Sequence, residues 1–482
     1  MDLHYISATE LLNRYQDLSL SPIEVCDAYL RRINQLNDKV NAFTSLNPEV
    51  AMSNALQAKE DYHHGSFSAL SGLQLAIKDE TYIAGEPMTN GSLLLKDNIA
   101  STTDPAAEKL LTEKASVIGR TTTPEFSASS VTWSNLWGVS RNPWNLDVTC
   151  GGSSGGSAIA VASGMCSFAN GTDIGGSIRI PAAMCGVYGY KPPHGRIAEI
   201  SPYNIDPYCH HGVIARSVDD TFLAYQNMKG PHPLDSHSYI PDNFSISSAL
   251  PDVRGMRIAV STNLGFYQVE PDIIDNLLAS VRLLKQAGAT VEVVEIDWDE
   301  RIIQTAKTHQ RALMGKLMLQ DYGAPEQRKV LTPYMRHYLD KVEQTTLDDV
   351  FQANQHLCEM WDKIAPVFAR FDALLCPTVA TSKVPADYDY SVDQLEINGR
   401  PVDASKGWFM TYPFNSLGQC PVMAMPNGMC TNQVPSSLQI VGRPYQEAPV
   451  FAIARYLEQA QPIRWYQDHF PSFQSVGLSG NN

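Results

Sequence analysis

Residues 151–195 combine serine hydroxyl groups with a high density of glycine. They hold 11 of the 31 glycines of the chain but only three charged residues. Two loops within this segment, residues 151–157 and 171–177, place serines beside consecutive backbone N–H groups in nearly uncharged surroundings. A serine nucleophile with an oxyanion site requires hydroxyl and N–H groups of this kind. The segment therefore predicts a serine-based catalytic site.

The same glycines would also suit a phosphate-binding loop or a tightly packed crossover in the protein core. A phosphate loop would read G-x-x-x-x-G-K-S/T or G-x-G-x-x-G, and neither pattern occurs in the segment, which disfavours nucleotide binding. A serine nucleophile also needs a base. The G-x-S-x-G elbow is missing, and no spacing connects His194, the nearest histidine, to the serines. Spacing alone leaves the base unidentified and the core crossover open.

The elements around this segment alternate between strand and helix. Residues 73–77 are predicted to form a strand that ends at Lys78, and the sequence Ser21-Pro22 is typical of a helix start. Further strands and helices are predicted at residues 256–260, 271–288, 290–296, 373–376, 422–425, 439–441 and 448–460. This alternation indicates an α/β fold with a large mixed or parallel central β-sheet covered by helices on both faces.

The composition is that of a water-soluble globular protein with a large core, since 44% of the 482 residues are hydrophobic and 18% are charged. The net charge of −15 and the lack of a Lys/Arg-rich block disfavour nucleic-acid binding. No apolar run is long enough to span a bilayer and no secretory signal is visible, so we expect a cytoplasmic protein. The nine cysteines include no C-x-x-C pair, so we expect buried, reduced thiols rather than a disulfide framework or zinc site.

Longer motifs connect these features to a known family. The runs GGSSGGSA at 151–158, GTDIGGSIRIPA at 171–182 and CGVYGYKP at 185–192 follow one another within residues 117–201. The run LAIKD at 75–79 precedes them. In their order and length, these motifs closely resemble those of the amidase signature family. The resemblance implies an α/β fold with a large mixed central β-sheet, which agrees with the alternation of strands and helices.

The resemblance also bears on domain organisation, for which length alone allows one, two or three domains. Looser similarity runs from about residue 5 to about residue 460, which implies a single domain over residues 1–482. Its motif core would be residues 70–220, and its variable middle region about residues 230–370. Residues 230–252, which are rich in Pro, Ser and Asp, are expected to form a connecting loop rather than a domain linker.

The resemblance implies a Ser–cis-Ser–Lys triad for catalysis. Ser177 would be the nucleophile, Ser153 the bridging hydroxyl preceded by a cis peptide bond, and Lys78 the base. Lysine is a base only when neutral, so the pKa of Lys78 would have to be lowered, which burial favours. The backbone N–H groups implied for the oxyanion hole are those of Ile174, Gly175, Gly176 and Ser177.

Other residues receive supporting roles from the same resemblance. Asp173 and Arg179 are expected to support the loop that carries the nucleophile rather than to contact the substrate. Ser154 is expected to stabilise its loop by hydrogen bonding. Ser127 and Ser129 would line the leaving-group side of the substrate pocket.

Three positions depart from the family pattern. Glu80 stands where asparagine is common after Lys-Asp, and Cys150 stands where proline is frequent. The pair Pro193-His194 replaces a threonine-containing turn. We expect these residues to border the approach to the triad without contacting it, so that they affect the choice of substrate rather than the chemistry.

The implied reaction is hydrolysis of a carboxylic amide through a serine acyl-enzyme, with release of ammonia or an amine and without a metal or organic cofactor. We expect a small-molecule amide substrate, no nucleic-acid partner and no membrane partner, and we allow for a homodimer. Specificity is expected in the loops around 200–212, 300–340 and 385–412. Their aromatic residues suit either an apolar or aryl acyl group or, as is more common for such residues, the protein core; they are Tyr203, Tyr208, Trp408, Phe409 and Tyr412.

Two other functions remain open. The first is the glutaminase subunit of a tRNA-dependent amidotransferase. That subunit usually has glutamine where this chain has Ile180, and it has an aspartate before the late P-x-N segment, whereas residues 404–425 contain no acid. The second is a scaffold protein that has kept the fold and lost the chemistry, which the presence of all three triad residues disfavours.

Overall fold

A mixed β-sheet organises the chain in the computed structural model, which describes residues 3–241, 244 and 252–479. Within these ranges the strands are β1 Phe43–Leu46, β2 Gln74–Lys78, β3 Ser116–Thr121, β4 Trp133–Ser134, β5 Gly138–Val139, β6 Ala169–Thr172, β7 Tyr188–Lys191, β8 His211–Ala215, β9 Arg257–Val260, β10 Thr290–Val293, β11 Ala373–Pro377, β12 Leu395–Ile397, β13 Arg400–Val402, β14 Val422–Met429 and β15 Pro435–Gly442. Strands β4 and β5 pair with each other, as do β12 and β13, and the other eleven form the central sheet.

Helices surround the sheet. They are α1 Ala8–Gln16, α2 Pro22–Val40, α3 Pro48–His64, α4 Pro105–Thr112, α5 Gly155–Ala162, α6 Arg179–Cys185, α7 Val218–Met228, α8 Pro271–Gln286, α9 Arg301–Gln310, α10 Lys316–Tyr322, α11 Pro325–Arg328, α12 Pro333–Glu343, α13 Leu347–Arg370, α14 Pro413–Ser416 and α15 Ala448–Ala460. Helix α2 begins at Pro22 as predicted, because Ser21 caps the helix and forms a capping box with Glu24 in its first turn. In the described ranges, no helix combines the length and the apolar character needed to cross a bilayer.

The strand order of the central sheet is β1-β3-β2-β6-β8-β7-β14-β15-β11-β9-β10. Strands β3, β2 and β6 are parallel, as are β11, β9 and β10, whereas the pairs between these two groups are antiparallel. Every residue of β2, β3, β7, β8, β11 and β15 is buried, so other elements cover both faces of the sheet. The predicted α/β fold with a large mixed central sheet is confirmed.

Most strand boundaries differ from the sequence prediction by a few residues. Strand β10 ends at Val293 rather than at residue 296, because it is an edge strand whose pairing with β9 ends there. Strands β14 and β15 are longer than predicted, because they pair with each other from Val422–Val441 to Met429–Pro435. Part of the loop predicted at 230–252 lies outside the described residues.

The cysteines agree with the sequence prediction with two exceptions. All nine are free thiols, and seven of them are buried. Cys209 is partly exposed and Cys358 is exposed, so the expectation of a buried thiol is wrong for Cys358.

Candidate active site

The carboxyl ends of two neighbouring parallel strands bring Lys78 and Thr172 together. Lys78 is the last residue of β2, and Thr172 is the last residue of β6. The Nζ atom of Lys78 donates hydrogen bonds to Thr172 Oγ1 and to Ser153 Oγ, both at 2.7 Å. The side chain of Lys78 is fully buried, and this burial lowers its pKa. A lysine with a lowered pKa and a direct contact to a serine hydroxyl is suited to act as a base.

Glu80 contacts this lysine, which corrects an expectation from the sequence. Glu80 Oε2 lies 2.6 Å from Lys78 Nζ and accepts a hydrogen bond of 2.6 Å from Thr172 Oγ1. The prediction that Glu80 only borders the approach to the triad is therefore wrong. Burial lowers the pKa of Lys78, and the negative charge of Glu80 opposes that effect.

Ser153 lies in the first glycine-rich loop, directly before α5. The peptide bond between Gly152 and Ser153 is cis, as the resemblance implies. A Cβ atom on Gly152 would lie 2.9 Å from the backbone oxygen of Ser129, so there is no room for a larger residue. The N–H of Ser154 donates to the backbone oxygen of Ser177 at 3.2 Å. Ser154 thereby connects the two glycine-rich loops, in agreement with the supporting role expected for it.

Ser177 lies in the second glycine-rich loop, between β6 and α6. The carboxylate of Asp173 organises this loop, because it accepts hydrogen bonds from the N–H groups of Gly176 at 2.7 Å and Ile178 at 3.2 Å. Gly176 has a φ of +124°, and a Cβ atom there would clash with the Thr411 hydroxyl. Only glycine fits both the backbone angle and the space.

The backbone N–H groups predicted for the oxyanion hole fall into two kinds. Among the residues that the structure describes, no protein acceptor binds the N–H groups of Ile174, Gly175 and Ser177. The N–H of Gly176 differs, because it donates to Asp173. The N–H groups of Ile174, Gly175 and Ser177 therefore remain available to bind an oxyanion. The N–H of Gly176 would first have to give up its hydrogen bond to Asp173.

The hydroxyl groups of Ser153 and Ser177 both line one cavity, but no hydrogen bond joins them in the described part of the chain. Catalytic hydrogen bonds are often long or poorly aligned without substrate, so the link between Ser153 and Ser177 stays a prediction. The structure thus brings Lys78, Ser153 and Ser177 to one place. In the described residues Lys78 is hydrogen-bonded to Ser153, whereas Ser153 is not hydrogen-bonded to Ser177.

The buried guanidinium of Arg179 fixes the loop that carries Ser177. Its guanidinium donates to both carboxylate oxygens of Asp173 at 3.0 Å, to the backbone oxygen of Thr411 at 2.8 Å and to Asn415 Oδ1 at 2.6 Å. Burial opposes ionisation of Asp173, but the charge and hydrogen bonds of Arg179 outweigh it and hold the pKa of the carboxyl well below its ordinary value. Asp173 and Arg179 are both buried behind the loop, which fits a supporting role.

Two cavities meet at the nucleophile, and Ser127, Ile174, Ser177 and Met314 line both of them. We call the first the acidic cavity; its charged or titratable side chains include Glu80, Asp104, Glu199 and His211. We call the second the cationic cavity; its charged side chains are those of Lys307, Arg311, Lys406 and Asp403. The nucleophile therefore lies between two cavities whose lining side chains differ in charge.

The acidic cavity contains a buried ion pair in addition to Glu80. His211 Nε2 lies 3.2 Å from Glu199 Oε2 and 3.4 Å from Asp104 Oδ1. Burial would lower the pKa of His211, but the two carboxylates outweigh it and raise this pKa well above its ordinary value. Within the described ranges, no group of three or more His, Cys, Asp or Glu side chains is placed to hold a metal ion.

Ser127 and Ser129 line cavities that Ser177 also lines, and their place on the leaving-group side stays a prediction. Ser127 lines both cavities, and its hydroxyl shares a hydrogen bond of 3.0 Å with Thr123 Oγ1. Ser129 lines the cationic cavity, and its hydroxyl accepts the N–H of Val131 at 3.1 Å. Both hydroxyl groups can still offer a hydrogen bond to a ligand.

The aromatic residues expected near the substrate divide between cavity and core. Tyr203 lines the acidic cavity and Phe409 lines the cationic cavity. Trp408 and Tyr412 are buried in the hydrophobic core, and Tyr208 lines neither of the two cavities. These positions weaken the inference of an aryl acyl group from the aromatic content of the loops.

Sequence reasoning missed four residues that the structure places at the site. Thr172 belongs to the quoted GTDIGGS run, so the motif itself was a signal for it. Glu80 had no such signal, because β2 ends at Lys78 and the chain then turns, with the N–H of Thr81 donating to the backbone oxygen of Lys78 at 3.0 Å. Lys406 and Arg311 had no such signal, because each lies more than 100 residues from the motifs and belongs to no motif of its own.

Comparisons with known proteins agree with this geometry. The family model described as Amidase matches residues 24–451. An acylamidase of Rhodococcus erythropolis is 30% identical over 96% of this chain and 96% of its own length. A glutamyl-tRNA(Gln) amidotransferase subunit of Thermosynechococcus vestitus is 30% identical over 93% of this chain and 96% of its own. The solved structure of a bacterial aryl acylamidase of the amidase signature family superposes with a TM-score of 0.90 at 28% identity and covers 100% of both chains. The chain belongs to the amidase signature family of amide hydrolases.

Proposed function

We propose that this protein hydrolyses carboxylic amides through an acyl-enzyme on Ser177. The observation that carries this proposal is the hydrogen bond of 2.7 Å from the buried amine of Lys78 to the hydroxyl of Ser153, on the wall of a cavity that Ser177 also lines. A hydroxyl becomes nucleophilic when a base removes its proton, and no other amine contacts either serine in the described residues. Lys78 is therefore the base of the proposed reaction.

The first half of the reaction forms the acyl-enzyme. Ser177 Oγ attacks the amide carbonyl while its proton passes to Ser153, whose own proton passes to neutral Lys78. The N–H groups of Ile174 and Gly175 stabilise the oxyanion of the tetrahedral intermediate. As the C–N bond breaks, the Lys78 ammonium returns a proton through Ser153 to the departing nitrogen, which leaves as ammonia or an amine.

In the second half of the reaction, Lys78 and Ser153 activate a water molecule. Neutral Lys78, acting through Ser153, removes a proton from a water molecule that attacks the ester carbonyl of the acyl-enzyme. The second tetrahedral intermediate collapses when the proton returns to Ser177 Oγ, which releases the carboxylic acid. No residue beyond the triad has to move a proton.

The glutaminase subunit of an amidotransferase remains the second candidate, because a relative from such an amidotransferase is as similar as the acylamidase, at 30% identity. Two features disfavour it. Ile180 lines the cationic cavity where that subunit usually has glutamine, and residues 404–425 contain no acid. The carboxylate of Asp403, directly before them, lines the cavity but is paired with Lys307. Ammonia or amine release from aliphatic amides, aryl amides and glutamine would separate the two functions. Turnover of glutamine alone would favour the second candidate.

Substitution of the nucleophile tests the proposal directly. We expect Ser177→Ala to reduce kcat by about 10³-fold or more, because residual rates in serine enzymes come from binding and the oxyanion site alone. Ser53→Ala is a matched control, since Ser53 is an exposed residue of α3. A sulfonyl fluoride probe should label wild type and the Ser53→Ala control but not Ser177→Ala. Turnover of Ser177→Ala near the wild-type rate would show that the nucleophile is another residue.

A further inference from the structure

The cationic cavity contains basic side chains that the proposed mechanism does not use. Lys307 is paired with Asp403 at an N–O distance of 2.5 Å. The other oxygen of Asp403 accepts the N–H groups of Ser405 at 3.1 Å and Lys406 at 2.9 Å. Both oxygens of Asp403 therefore already accept hydrogen bonds from other groups. Neither oxygen pairs with the head group of Lys406 or Arg311.

In the described part of the chain no carboxylate pairs with these two head groups, and the protein groups that face the Lys406 ammonium are the rings of Phe409 and Tyr412. Over residues 3–241, 244 and 252–479, no carboxylate oxygen lies within 4.0 Å of the head group of Lys406 or Arg311, and neither head group donates a hydrogen bond to the protein. Lys406 is only 9% exposed, and its Nζ lies 5.8 Å from the centroid of the Phe409 ring. Burial lowers the pKa of Lys406 to about 7, so its amine is only partly protonated at neutral pH, and a bound anion would stabilise the charged form.

The ammonium of Lys406 lies beside the loop that carries the nucleophile. A Cβ atom built on Gly175 would be 4.0 Å from Lys406 Nζ and 2.7 Å from Gln310 Nε2. Gln310 Nε2 itself donates to the backbone oxygen of Ile174 at 3.4 Å. A negative charge bound to Lys406 would therefore be only a few bonds from a carbonyl group held by the N–H groups of Ile174 and Gly175.

Arg311 reaches the same cavity from an unusual piece of backbone. It begins the π-helical turn Arg311–Gly315, which joins α9 to α10. Such turns are rare and frequently occur at functional sites. Apart from His337, whose pKa burial lowers, the charged groups on the cavity wall are three cations and one carboxylate, although the chain as a whole carries −15. A local positive potential of this kind concentrates anions.

We propose that the cationic cavity binds a carboxylate of the substrate, so that the preferred substrates are amides with a carboxylate a few bonds from the scissile carbonyl, such as monoamides of short dicarboxylic acids. Arg311 would bind this carboxylate through two parallel hydrogen bonds, and Lys406 would supply the second charge. The inference rests on the proposed amide hydrolysis and names the substrate class for it. It replaces the apolar or aryl acyl group that the aromatic loops favour.

Binding can be measured without turnover in the Ser177→Ala background. We expect isothermal titration calorimetry to detect succinate or glutarate, and the dissociation constant to rise at least about 10-fold when Lys406→Met or Arg311→Met is added, because a hydrogen bond to a charged group is worth about 1.5–3 kcal/mol. Lys329→Met, at an exposed lysine paired with Glu326, is the matched control. Arg311→Lys keeps the charge but loses one of the two parallel hydrogen bonds, so it should weaken binding less than Arg311→Met does, and it covers the case in which Arg311→Met fails to fold.

Turnover measurements then distinguish the proposed anion site from the proposed amide hydrolysis. The wild-type enzyme should hydrolyse glutaramate with a kcat/KM at least about 10-fold above that of the neutral amide pentanamide, and Lys406→Met should remove that preference. Equal rates on both amides, with no binding of dicarboxylates, would overturn the anion site but leave amide hydrolysis intact. Dicarboxylate binding without acylation of Ser177 by any amide would instead overturn the proposed function and keep the anion site.

Discussion

Two opposed effects act on the amine of Lys78. Burial removes the ammonium from water and lowers its pKa, whereas the carboxylate of Glu80, 2.6 Å away, stabilises the charged form. The proposed reaction needs the amine neutral before Ser177 attacks and protonated when the leaving group departs. The balance between burial and Glu80 therefore sets the pH range in which the base can work.

Replacing Glu80 by glutamine should move this range. Glu80→Gln keeps the shape of the side chain and can still accept the hydrogen bond from Thr172, but it removes the negative charge. Without that charge the pKa of Lys78 falls further, so the neutral amine persists to lower pH. We expect the acid limb of the profile of kcat/KM against pH, measured on a neutral amide, to shift towards lower pH.

The control for this substitution is Glu60→Gln, at an exposed position of α3, which should leave the profile unchanged. Asp173, the other carboxylate that raises the pKa of Lys78, is intact in both variants. An acid limb that stays in place in Glu80→Gln, or that moves towards higher pH, would refute the role of Glu80 and leave Lys78 in question as the base.

For individual residues, the sequence predicted which residues form the site better than it predicted their contacts. The hydrogen bond between Lys78 and Ser153 follows from the family motifs, which name both residues. The contact of Glu80 with Lys78 did not follow, because the motifs record only that asparagine is common at that position. Strand geometry could not have given this contact, because β2 ends at Lys78 and Glu80 returns to the lysine through a turn in which the N–H of Thr81 donates to the backbone oxygen of Lys78.

Asp173 and Arg179 join elements that are distant in the chain. Arg179 opens α6, and its guanidinium binds both the loop after β6 and Asn415 of α14. Asn415 in turn donates to Asp173 Oδ1 at 2.8 Å. A buried ionic network therefore holds the loop that carries Ser177, in addition to the packing of Ile174 and Ile178 against hydrophobic clusters.

Breaking this network should cost much of the stability of the protein. Arg179→Met leaves the buried carboxylate of Asp173 without its counter-ion, and we expect the free energy of unfolding in urea to fall by about 3–5 kcal/mol. Since the pKa of Asp173 is lowered in the folded state, its contribution is present at neutral pH and is lost as the pH falls through the acidic range. The difference between wild type and Arg179→Met should therefore shrink in acid.

The matched control is Arg301→Met. Arg301 forms ion pairs with Asp299 and Glu359, but it is 56% exposed on its side chain. Exposed pairs contribute about 0–1 kcal/mol, so this variant should be close to wild type. Adding Asp173→Asn to Arg179→Met should restore part of the lost stability. Equal effects of Arg179→Met and Arg301→Met would contradict the role given to the network.

Elements with strong hydrophobic patterns were predictable to within a few residues, whereas the cationic cavity was not. Helix α15 occupies residues 448–460 as predicted, because its apolar face repeats at helical spacing. The cavity, in contrast, combines a π-helical turn at Arg311–Gly315 with Lys406, from a segment almost 100 residues later. No local pattern records a contact across such a distance, so only the assembled fold shows that the two charges meet.

The central sheet connects the two halves of the chain. Strand β7 comes from the motif core and pairs with β14 from the C-terminal part, with Tyr190 opposite Met423. The strands on either side continue the ladder without a break as far as β1 and β10. This continuity supports the proposal that the chain is one domain rather than an N-terminal catalytic unit with a separate C-terminal unit.

A single domain should lose its structure as one unit, and this can be tested at the junction between β7 and β14. Met423→Ala removes a fully buried side chain there and should cost about 2–5 kcal/mol. In hydrogen exchange measured by mass spectrometry across a urea series, peptides that contain β2 and peptides that contain β11 should lose protection at the same urea concentration. Met423→Ala should lower both midpoints equally, because β2 and β11 lie on opposite sides of the substituted strand. A lower midpoint for β11 alone would divide the chain into two domains.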